Sequence, residues 1–329
     1  MAEKFININL NYDSLFFPLT IDRKKFTDPS FTVVAERFLG LAEKYNFKLT
    51  IFVIGRDLQN AEVAARVKDW AQAGHEIANH SYTHNPNLGS LPKNEMAYEV
   101  SKSHDIISNC IDQEPSGFLS PSWSTSKELI GLLVEKNYLY DTSVFPSYFQ
   151  YLVLLKLMIL TKRRHRNFHP GFGKRRDKWA FLFAPREPYF IGPESLIKKQ
   201  DGGLLMIPLP VATPFRIPCW HTMYFQFGRR IMGRLLKRTI KEHDNFYYVV
   251  HPRDLIDYDK DLSYEFALKH RDGLTAFEAL KVPFEKKLSY MEHALDIIGS
   301  SGAKFVTMEE MARRIIDEKK NNARHGDKA

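Results

Sequence analysis

The chain lacks the features that usually mark secreted or membrane-spanning proteins. It has two cysteines, Cys110 and Cys219, which are too few for a disulfide framework. The first residues, Met1 to Phe5, do not form the basic and then apolar pattern of a signal segment. No apolar run reaches the ~20 residues of a spanning helix, although 151–160 comes about half way. These absences predict a reducing, cytoplasmic location.

The composition is that of a globular protein. The 329 residues are 44% hydrophobic and 13% aromatic, which is enough for one large domain or two modest ones. The formal net charge is +8. This excess favours anionic partners, whether phosphates, membrane head groups or nucleic acid, and the sign of the charge does not choose among them.

Strand and helix patterns alternate along the chain. In Phe5–Asp13 the apolar side chains fall on one face, and asparagines and an acid fall on the other, which predicts a strand ending in a carboxylate. Such alternation predicts parallel strands with crossover helices, in a barrel or a doubly wound sheet. Further strands are predicted at 48–54, 75–79, 117–120, near 140–143, 204–208, 247–250 and 304–306, and helices at 30–46, 60–73, 92–111, 126–137, 226–243, 284–299 and 307–319.

Two histidines four residues apart, His80 and His84, directly follow the third predicted strand. On a helical turn, positions i and i+4 lie on one face, so both imidazoles could bind one divalent ion. The alternative is that both are polar loop residues satisfied by the backbone. A pattern this short does not separate the two interpretations.

Other polar residues also follow predicted strands, where sites of parallel α/β proteins lie. One acid and two histidines can bind a zinc-like ion and lower the pKa of its water. A further acid can take that water's proton, and a distant histidine can protonate a leaving amine. The set therefore suits metal-assisted hydrolysis of an amide or ester. Its members are Asp13, His80, His84, Ser120, Ser122, Asp141 and His251.

In order, these segments resemble the motifs of the NodB-homology polysaccharide deacetylases, a family of carbohydrate esterases. Residues 74–84 (Gly-His-Glu-Ile-Ala-Asn-His-Ser-Tyr-Thr-His) are similar to that family's metal-binding strand and loop almost residue for residue. The resemblance covers about residues 5–144 and 204–318. Shorter likenesses are 10–14 to the Thr-Phe-Asp-Asp-Gly motif, 50–55 to the second strand, 117–122 to Arg-x-Pro, 140–143 to Asp-x-Ser, 248–252 to the catalytic-histidine motif and 302–310 to the last strand and helix.

The resemblance implies an α/β fold, a distorted (β/α)7-type barrel of the NodB kind. One domain would span 1–318, interrupted by a basic and apolar insertion at 145–203 that is too long for a simple connection. The charged tail, 319–329, is expected to be disordered.

The resemblance also implies a hydrolase of amide C–N bonds with a divalent ion, expected to be Zn²⁺. His80, His84 and Asp13 would be the ligands. Asp13 would also act as base and His251 as general acid, while Asp141 would orient His251 or the substrate.

The implied substrate is an amino sugar that carries an acyl group, expected to be acetyl. The sugar would belong to a bacterial surface polysaccharide, such as the O-antigen of lipopolysaccharide, or to its lipid-linked precursor. Substrate contacts are expected from Ser120, Pro121, Ser122, Arg186, Tyr189 and Trp220.

Two positions depart from the family's pattern. If the strand alternation continues, Asp13 falls on the family's base and Ser14 on its metal-binding aspartate, whereas a shift of one residue would make Asp13 the ligand. The alternation favours the first register. Leu119 stands where the family has an arginine that pairs with the base. Its replacement could be Arg56, Arg186 or Arg253.

Three hypotheses follow. The first, which we favour because most site residues remain, is an active deacetylase. The second is a carbohydrate-binding protein of the same fold whose metal chemistry has lapsed. The third is a hydrolase in which His75 or a residue of the insertion completes the site.

Within the insertion, residues 149–178 combine an apolar run with basic clusters and interleaved aromatics. This composition predicts a helix at the interface of an anionic membrane, on the inner face for a cytoplasmic protein. The alternative is a helix packed on the barrel with a solvated basic face. Nucleic-acid binding is disfavoured because no recognition motif accompanies the basic residues.

Overall fold

The computed structural model describes residues 3–15, 28–148, 180–263 and 278–326. The predicted membrane-contacting stretch, 149–178, lies outside these residues. Within the described part of the chain, no helix is both long and apolar enough to cross a membrane.

Strands and helices alternate as predicted, and each predicted element is present. The strands are β1 (Phe5–Asn11), β2 (Leu49–Val53), β3 (Glu76–Asn79), β4 (Gly117–Phe118), β5 (Tyr140–Asp141), β6 (Tyr189–Ile191), β7 (Leu204–Met206), β8 (Val211–Ala212), β9 (Ile217–Pro218), β10 (Asn245–Val250) and β11 (Lys304–Phe305). The helices are α1 (Val33–Lys44), α2 (Ala61–Gln72), α3 (Lys93–Ile111), α4 (Lys127–Glu135), α5 (Tyr224–Glu242), α6 (Phe284–Gly299) and α7 (Met308–Gly326). Strands β6, β8 and β9 were not predicted.

One of two compact units comprises Met1–Ile77 and Cys219–Thr307. At its centre, β1 pairs in parallel with β2, β10 and β11. Every residue of β1 is buried, as expected of a parallel strand covered on both faces. The Nδ2 group of Asn7 is satisfied inside this unit, because it donates to Thr50 Oγ1 at 2.9 Å and to the Val306 carbonyl at 3.0 Å.

The other unit comprises Ala78–Pro218 and Met308–Ala329. Its strands follow the parallel order β3-β4-β5-β7, with β6 antiparallel along β7. Asp141, at the end of β5, lies opposite Phe118 of β4 and Met206 of β7. Strands β8 and β9 form a separate antiparallel pair.

Helix α7 corrects part of the predicted tail. It continues through Gly326, so most of the segment expected to be disordered from residue 319 is helical. The tail continues a helix whose first part is supported by opposite charges four residues apart. Arg313 lies 2.6 Å from Glu309, and Arg314 lies 2.8 Å from Glu318. The charged composition of the tail alone did not predict this continuation.

Lys287 of α6 is a fully buried cation, at 0% exposure. Its ammonium donates to the carbonyls of Arg253 at 3.1 Å, Ile256 at 2.7 Å and Leu280 at 3.0 Å. Burial lowers the pKa of Lys287 to about 8, although nearby aspartates including Asp254 oppose the change. Lys287 therefore ties the segment that follows β10 to helix α6.

This buried lysine predicts a pH-dependent stability. Lys287 loses its proton near pH 8 in the folded protein and near its ordinary pKa of 10.5 in the unfolded chain. Between these values the unfolded state binds more protons, so the contribution of Lys287 to the free energy of unfolding rises with pH, by up to about 3 kcal/mol. Urea denaturation of wild type and Lys287→Met should show the difference moving in favour of wild type from pH 8 to pH 10.

The exposed neighbour Lys286 provides the control, because Lys286→Met should keep a constant difference from wild type over the same range. A constant difference for Lys287→Met as well would contradict the assignment.

Candidate active site

His80 directly follows β3 and is 2% exposed. Its Nδ1 lies 2.6 Å from the carbonyl oxygen of Leu119. Because a carbonyl only accepts, Nδ1 carries the hydrogen of this bond, and Nε2 is left with its lone pair. Histidine ligands of metal ions are usually fixed in this way. The Leu119 main chain thus orients His80, although its side chain is not the family's arginine.

The segment from His80 to His84 is a turn rather than the helical turn used in the sequence argument. Ser81 and His84 both have positive φ, 64° and 61°. The turn is held by two hydrogen bonds, from Ser81 N to Asn79 Oδ1 at 2.8 Å and from His84 N to Ser81 Oγ at 3.2 Å. The two imidazoles nevertheless lie side by side, with ring centroids 4.8 Å apart.

Glu99 of α3 fixes the same turn from outside. Its carboxylate accepts from Thr83 N at 2.8 Å and from Thr83 Oγ1 at 2.6 Å, and the side chain is buried. A buried carboxylate that accepts two hydrogen bonds holds the loop in one geometry. The histidine pair is therefore preorganised by helix α3 as well as by β3.

Asp13 follows β1 at a turn. The strand ends at Asn11, and the chain then bends with hydrogen bonds from Asp13 N to Asn11 O at 2.8 Å and from Ser14 N to Tyr12 O at 2.9 Å. The side-chain alternation therefore ends with the strand and does not determine which way Asp13 and Ser14 point. The Ser14 hydroxyl donates to Asp57 Oδ2 at 3.0 Å.

Asp13, His80 and His84 form a candidate metal site, with one ligand atom from each residue and all three atoms within 4.8 Å of one another. Two imidazoles and one carboxylate are a ligand set typical of catalytic divalent ions, which keep a further position for water. The residues present therefore fit a divalent cation.

Arg253 and His251 lie next to the same carboxylate. Asp13 Oδ2 is 4.0 Å from Arg253 Nη1 and 3.9 Å from His251 Nε2. Arg253, one of the three arginines considered as replacements for the family's arginine, thus lies beside Asp13. It comes from the segment after β10, whereas the family's arginine comes from the position of Leu119.

Asp254 is the carboxylate beside His251. It is 0% exposed, and its Oδ2 accepts from His251 N at 2.9 Å and lies 3.9 Å from His251 Nδ1. Its Oδ1 accepts from Thr222 Oγ1 at 3.3 Å. Burial by itself would raise the pKa of Asp254, but the hydrogen bond from His251 and nearby positive charge hold that pKa below its usual value. Asp254 is thus positioned to orient His251.

Sequence reasoning did not single out Asp254, and its assignment of Asp141 to orient His251 or the substrate stays a prediction. A signal was present, because an acid three residues after a residue that ends a strand is the spacing of a capping box. Asp141 is held elsewhere: its Oδ1 accepts from Ser143 N at 3.0 Å and from Ser143 Oγ at 2.5 Å. Burial raises the pKa of Asp141 to about 7, although these hydrogen bonds oppose the change.

Several predicted substrate contacts are buried. Ser120 is 0% exposed and Tyr189 is 3% exposed. Pro121 is also buried. The Ser120 hydroxyl donates to the Ser124 carbonyl, and the Tyr189 hydroxyl donates to Leu196 O at 3.1 Å. The half-buried Ser122, Arg186 and Trp220 stay predictions.

His75, considered as an alternative ligand, has an internal role. Its Nδ1 accepts from Leu49 N at 2.9 Å. Burial and the nearby charge of Lys48 lower the pKa of His75 to about 4, so the ring is neutral. Its side chain therefore serves as the acceptor for a main-chain N–H of β2.

The described strands form a mostly parallel sheet, and an aspartate and a histidine pair that could hold a cation lie beyond its strand ends, where sites of parallel α/β proteins are found. Residues 17–140 match the polysaccharide deacetylase family. This segment, 124 of the 329 residues, is therefore similar to the polysaccharide deacetylases, as the sequence resemblance predicted. The predicted distorted barrel of the NodB kind is confirmed.

Three relatives indicate the extent of the likeness. Peptidoglycan deacetylase of Helicobacter pylori is 28% identical over 173 residues, 52% of this chain and 51% of that protein. YlxY of Bacillus subtilis, a protein of uncharacterized function, is 32% identical over 103 residues, 31% of each chain. The chain thus spans about a third to about half of these curated relatives. A Mycobacterium smegmatis protein described as a polysaccharide deacetylase shares the fold, with a TM-score of 0.60 at 14% identity over 97% of this chain and 92% of that one.

Proposed function

We propose that the protein is a zinc-dependent hydrolase that removes an N-acyl group, acetyl in the simplest case, from an amino sugar. The observation that carries this proposal is the convergence of Asp13, His80 and His84 within 4.8 Å. Two histidines and a carboxylate leave room for the water and substrate that a catalytic zinc requires. The match of residues 17–140 to the polysaccharide deacetylase family suggests the substrate class.

In this proposal a divalent ion, when bound, would lower the pKa of a water molecule and polarise the acyl carbonyl. Asp13 would ligate with one oxygen, and Oδ2, which faces His251 and Arg253, would take the proton of the attacking water. The water oxygen bonds to the acyl carbon and the C–N bond breaks. His251 gives an Nε2 proton to the departing amine. The products are a free amino sugar and a carboxylic acid, which ionises to the carboxylate and releases its proton to solvent.

The neighbours of His251 and Asp13 would set the geometry of these proton transfers. Asp254 fixes the backbone of His251 and faces its Nδ1, so Nε2 is directed toward Asp13. Arg253 provides the positive charge beside Asp13 that Leu119 cannot provide. Both residues lie in the segment tied to α6 by Lys287.

The finer substrate assignment rests on the family. A surface polysaccharide or its lipid-linked precursor, handled at the inner face of the membrane, remains our proposal for the biological substrate and location. The net charge of +8 is compatible with a phosphate-bearing carrier.

Acetate release from N-acetylglucosamine oligomers tests the function. The zinc-loaded protein should release acetate and a free amine in equal amounts, lose this activity on chelation and regain it when zinc is restored. Release from O-acetylated sugars alone would replace the amidase assignment with an esterase. A protein that holds stoichiometric zinc but turns over no N- or O-acyl sugar would instead be the lapsed carbohydrate-binding relative.

A further inference from the structure

Helix α5 carries positive charge on one side. Arg230, Arg234, Lys237, Arg238 and Lys241 are all exposed, and each lies three or four residues from another member, which places them on one side of the helix. We call these five residues the α5 basic stripe. The single acidic residue of this helix, Glu242, lies 2.7 Å from Arg238 at the end of the stripe.

The opposite face of α5 is already packed. Met232, Leu236 and Ile240 are buried there. Gly233 allows a close approach to α6, because a Cβ at this position would lie 2.8 Å from Cε1 of His293. The helix therefore needs no further partner for its apolar side, and its function as an interaction surface would depend on the stripe.

The fold does not use most of this charge. Among the described residues, no carboxylate lies within ion-pair distance of Arg230, Arg234, Lys237 or Lys241. Beyond the end of the helix, Lys4 is occupied within the fold, because its ammonium donates to the carbonyls of Ile240 and His243 at 2.9 Å each and lies 3.3 Å from Asp244. The charge of these four side chains of the stripe is thus available to an external anion.

The shape of the stripe indicates the kind of anion. From Arg230 to Lys241 it runs about 16 Å along a regular helix, at about 1.5 Å per residue. A straight row of cations on the convex surface of a helix can contact many phosphates that lie in one plane. A single small anion instead binds in a concave site with several donors. Ile231, which adjoins the stripe, is 56% exposed and can contact the boundary between head groups and acyl chains.

We propose that the α5 basic stripe docks the protein on the surface of an anionic phospholipid bilayer. The attraction is electrostatic, because the apolar face of α5 is packed inside the fold and is not free to insert. The stripe takes no part in the proposed hydrolysis and lies outside residues 149–178.

Vesicle co-sedimentation of the full chain tests the proposal. The wild type should bind phosphatidylcholine vesicles containing about 30 mol% phosphatidylglycerol, should not bind vesicles of phosphatidylcholine alone, and should dissociate as salt shortens the screening length. Replacing Arg230, Arg234, Lys237 and Lys241 with Gln should weaken binding by about a hundredfold or more, since each basic residue contributes about tenfold or less. A variant that loses Lys93, Lys102, Lys127 and Lys199, four exposed and scattered lysines, has the same net charge and should bind like wild type.

Equal weakening in the two variants, or no binding by wild type, would overturn the proposal. The proposal would also be overturned if the Gln variant of the stripe lost binding to a single-stranded oligonucleotide while its vesicle binding stayed unchanged, because the stripe would then bind a nucleic acid. If the Gln variant does not fold, as judged by circular dichroism, replacing the stripe's three arginines with Lys keeps the charge and should keep vesicle binding. Loss of binding in that folded variant would also contradict a purely electrostatic surface.

Discussion

His80→Ala and His84→Ala should each lower zinc affinity by more than about a hundredfold, because losing even an outer partner of a metal ligand costs about 10- to 100-fold. The rings lie side by side, and each provides one of the three ligand atoms that converge in the candidate site. The measurement is competitive titration with a chromophoric chelator. Acyl hydrolysis should fall with zinc occupancy.

His104→Gln is the matched control, because His104 is also a buried histidine but its Nδ1 is engaged by the Tyr138 hydroxyl at 2.9 Å. This variant should bind zinc as tightly as wild type. If His80→Ala and His84→Ala retained wild-type affinity, the histidine pair would be excluded as ligands. Equal loss in all three variants would point instead to a general loss of structure.

His251→Gln should lower kcat by about 10²- to 10⁴-fold while zinc affinity stays unchanged, because general acid catalysis typically contributes that much. Glutamine fills similar space but cannot give a proton to the leaving amine. KM should change little, since the proposed role of His251 lies in bond cleavage rather than in substrate binding. The measurement is steady-state kinetics on the acylated sugar with zinc saturating.

Asp254→Asn should give a smaller loss of kcat, about 10- to 100-fold, because the residue acts through the orientation of His251. In the His251→Gln background Asp254→Asn should have little further effect, since the group it orients is gone. Asp257→Asn is the control and should keep the kcat of wild type. Asp257 is also buried and lies on the same segment, but its carboxylate accepts from the main chain of Asp259 and Lys260.

An undiminished kcat in His251→Gln would remove this histidine from the mechanism.

The sequence predicted the elements well because burial and periodicity determine them locally. The segment 5–11, for example, reads as a strand and is buried at every position. The histidine pair was also predictable, although for a reason that needs correction. Its rings meet because Ser81 and His84 adopt positive φ in a braced turn, and not because they share the face of a helix.

The environment of Asp13 was harder to predict because it depends on where a strand stops. Side-chain alternation decides orientation only inside a strand, and β1 ends two residues before Asp13. Its positive neighbour comes from a distant segment of the chain, 240 residues later at Arg253, as the two residue numbers show. No local pattern contains that pairing.

Substrate contacts were predicted from residue type, and residue type does not report burial. A tyrosine and a serine can bind sugars, yet the hydroxyls of Tyr189 and Ser120 donate hydrogen bonds to main-chain carbonyls inside the protein. Conversely, the main-chain carbonyl of Leu119 orients His80, a role that no side-chain identity could have indicated.

Anomalous X-ray diffraction at the zinc absorption edge, from crystals grown with zinc, tests the central claim most directly. The account predicts one strong peak bonded to Nε2 of His80, to a ring nitrogen of His84 and to a carboxylate oxygen of Asp13, at about 2.0–2.2 Å from each. The account would be contradicted by a zinc ion that is not coordinated by Asp13. It would also be contradicted if no ion were bound to the histidine pair at a saturating zinc concentration.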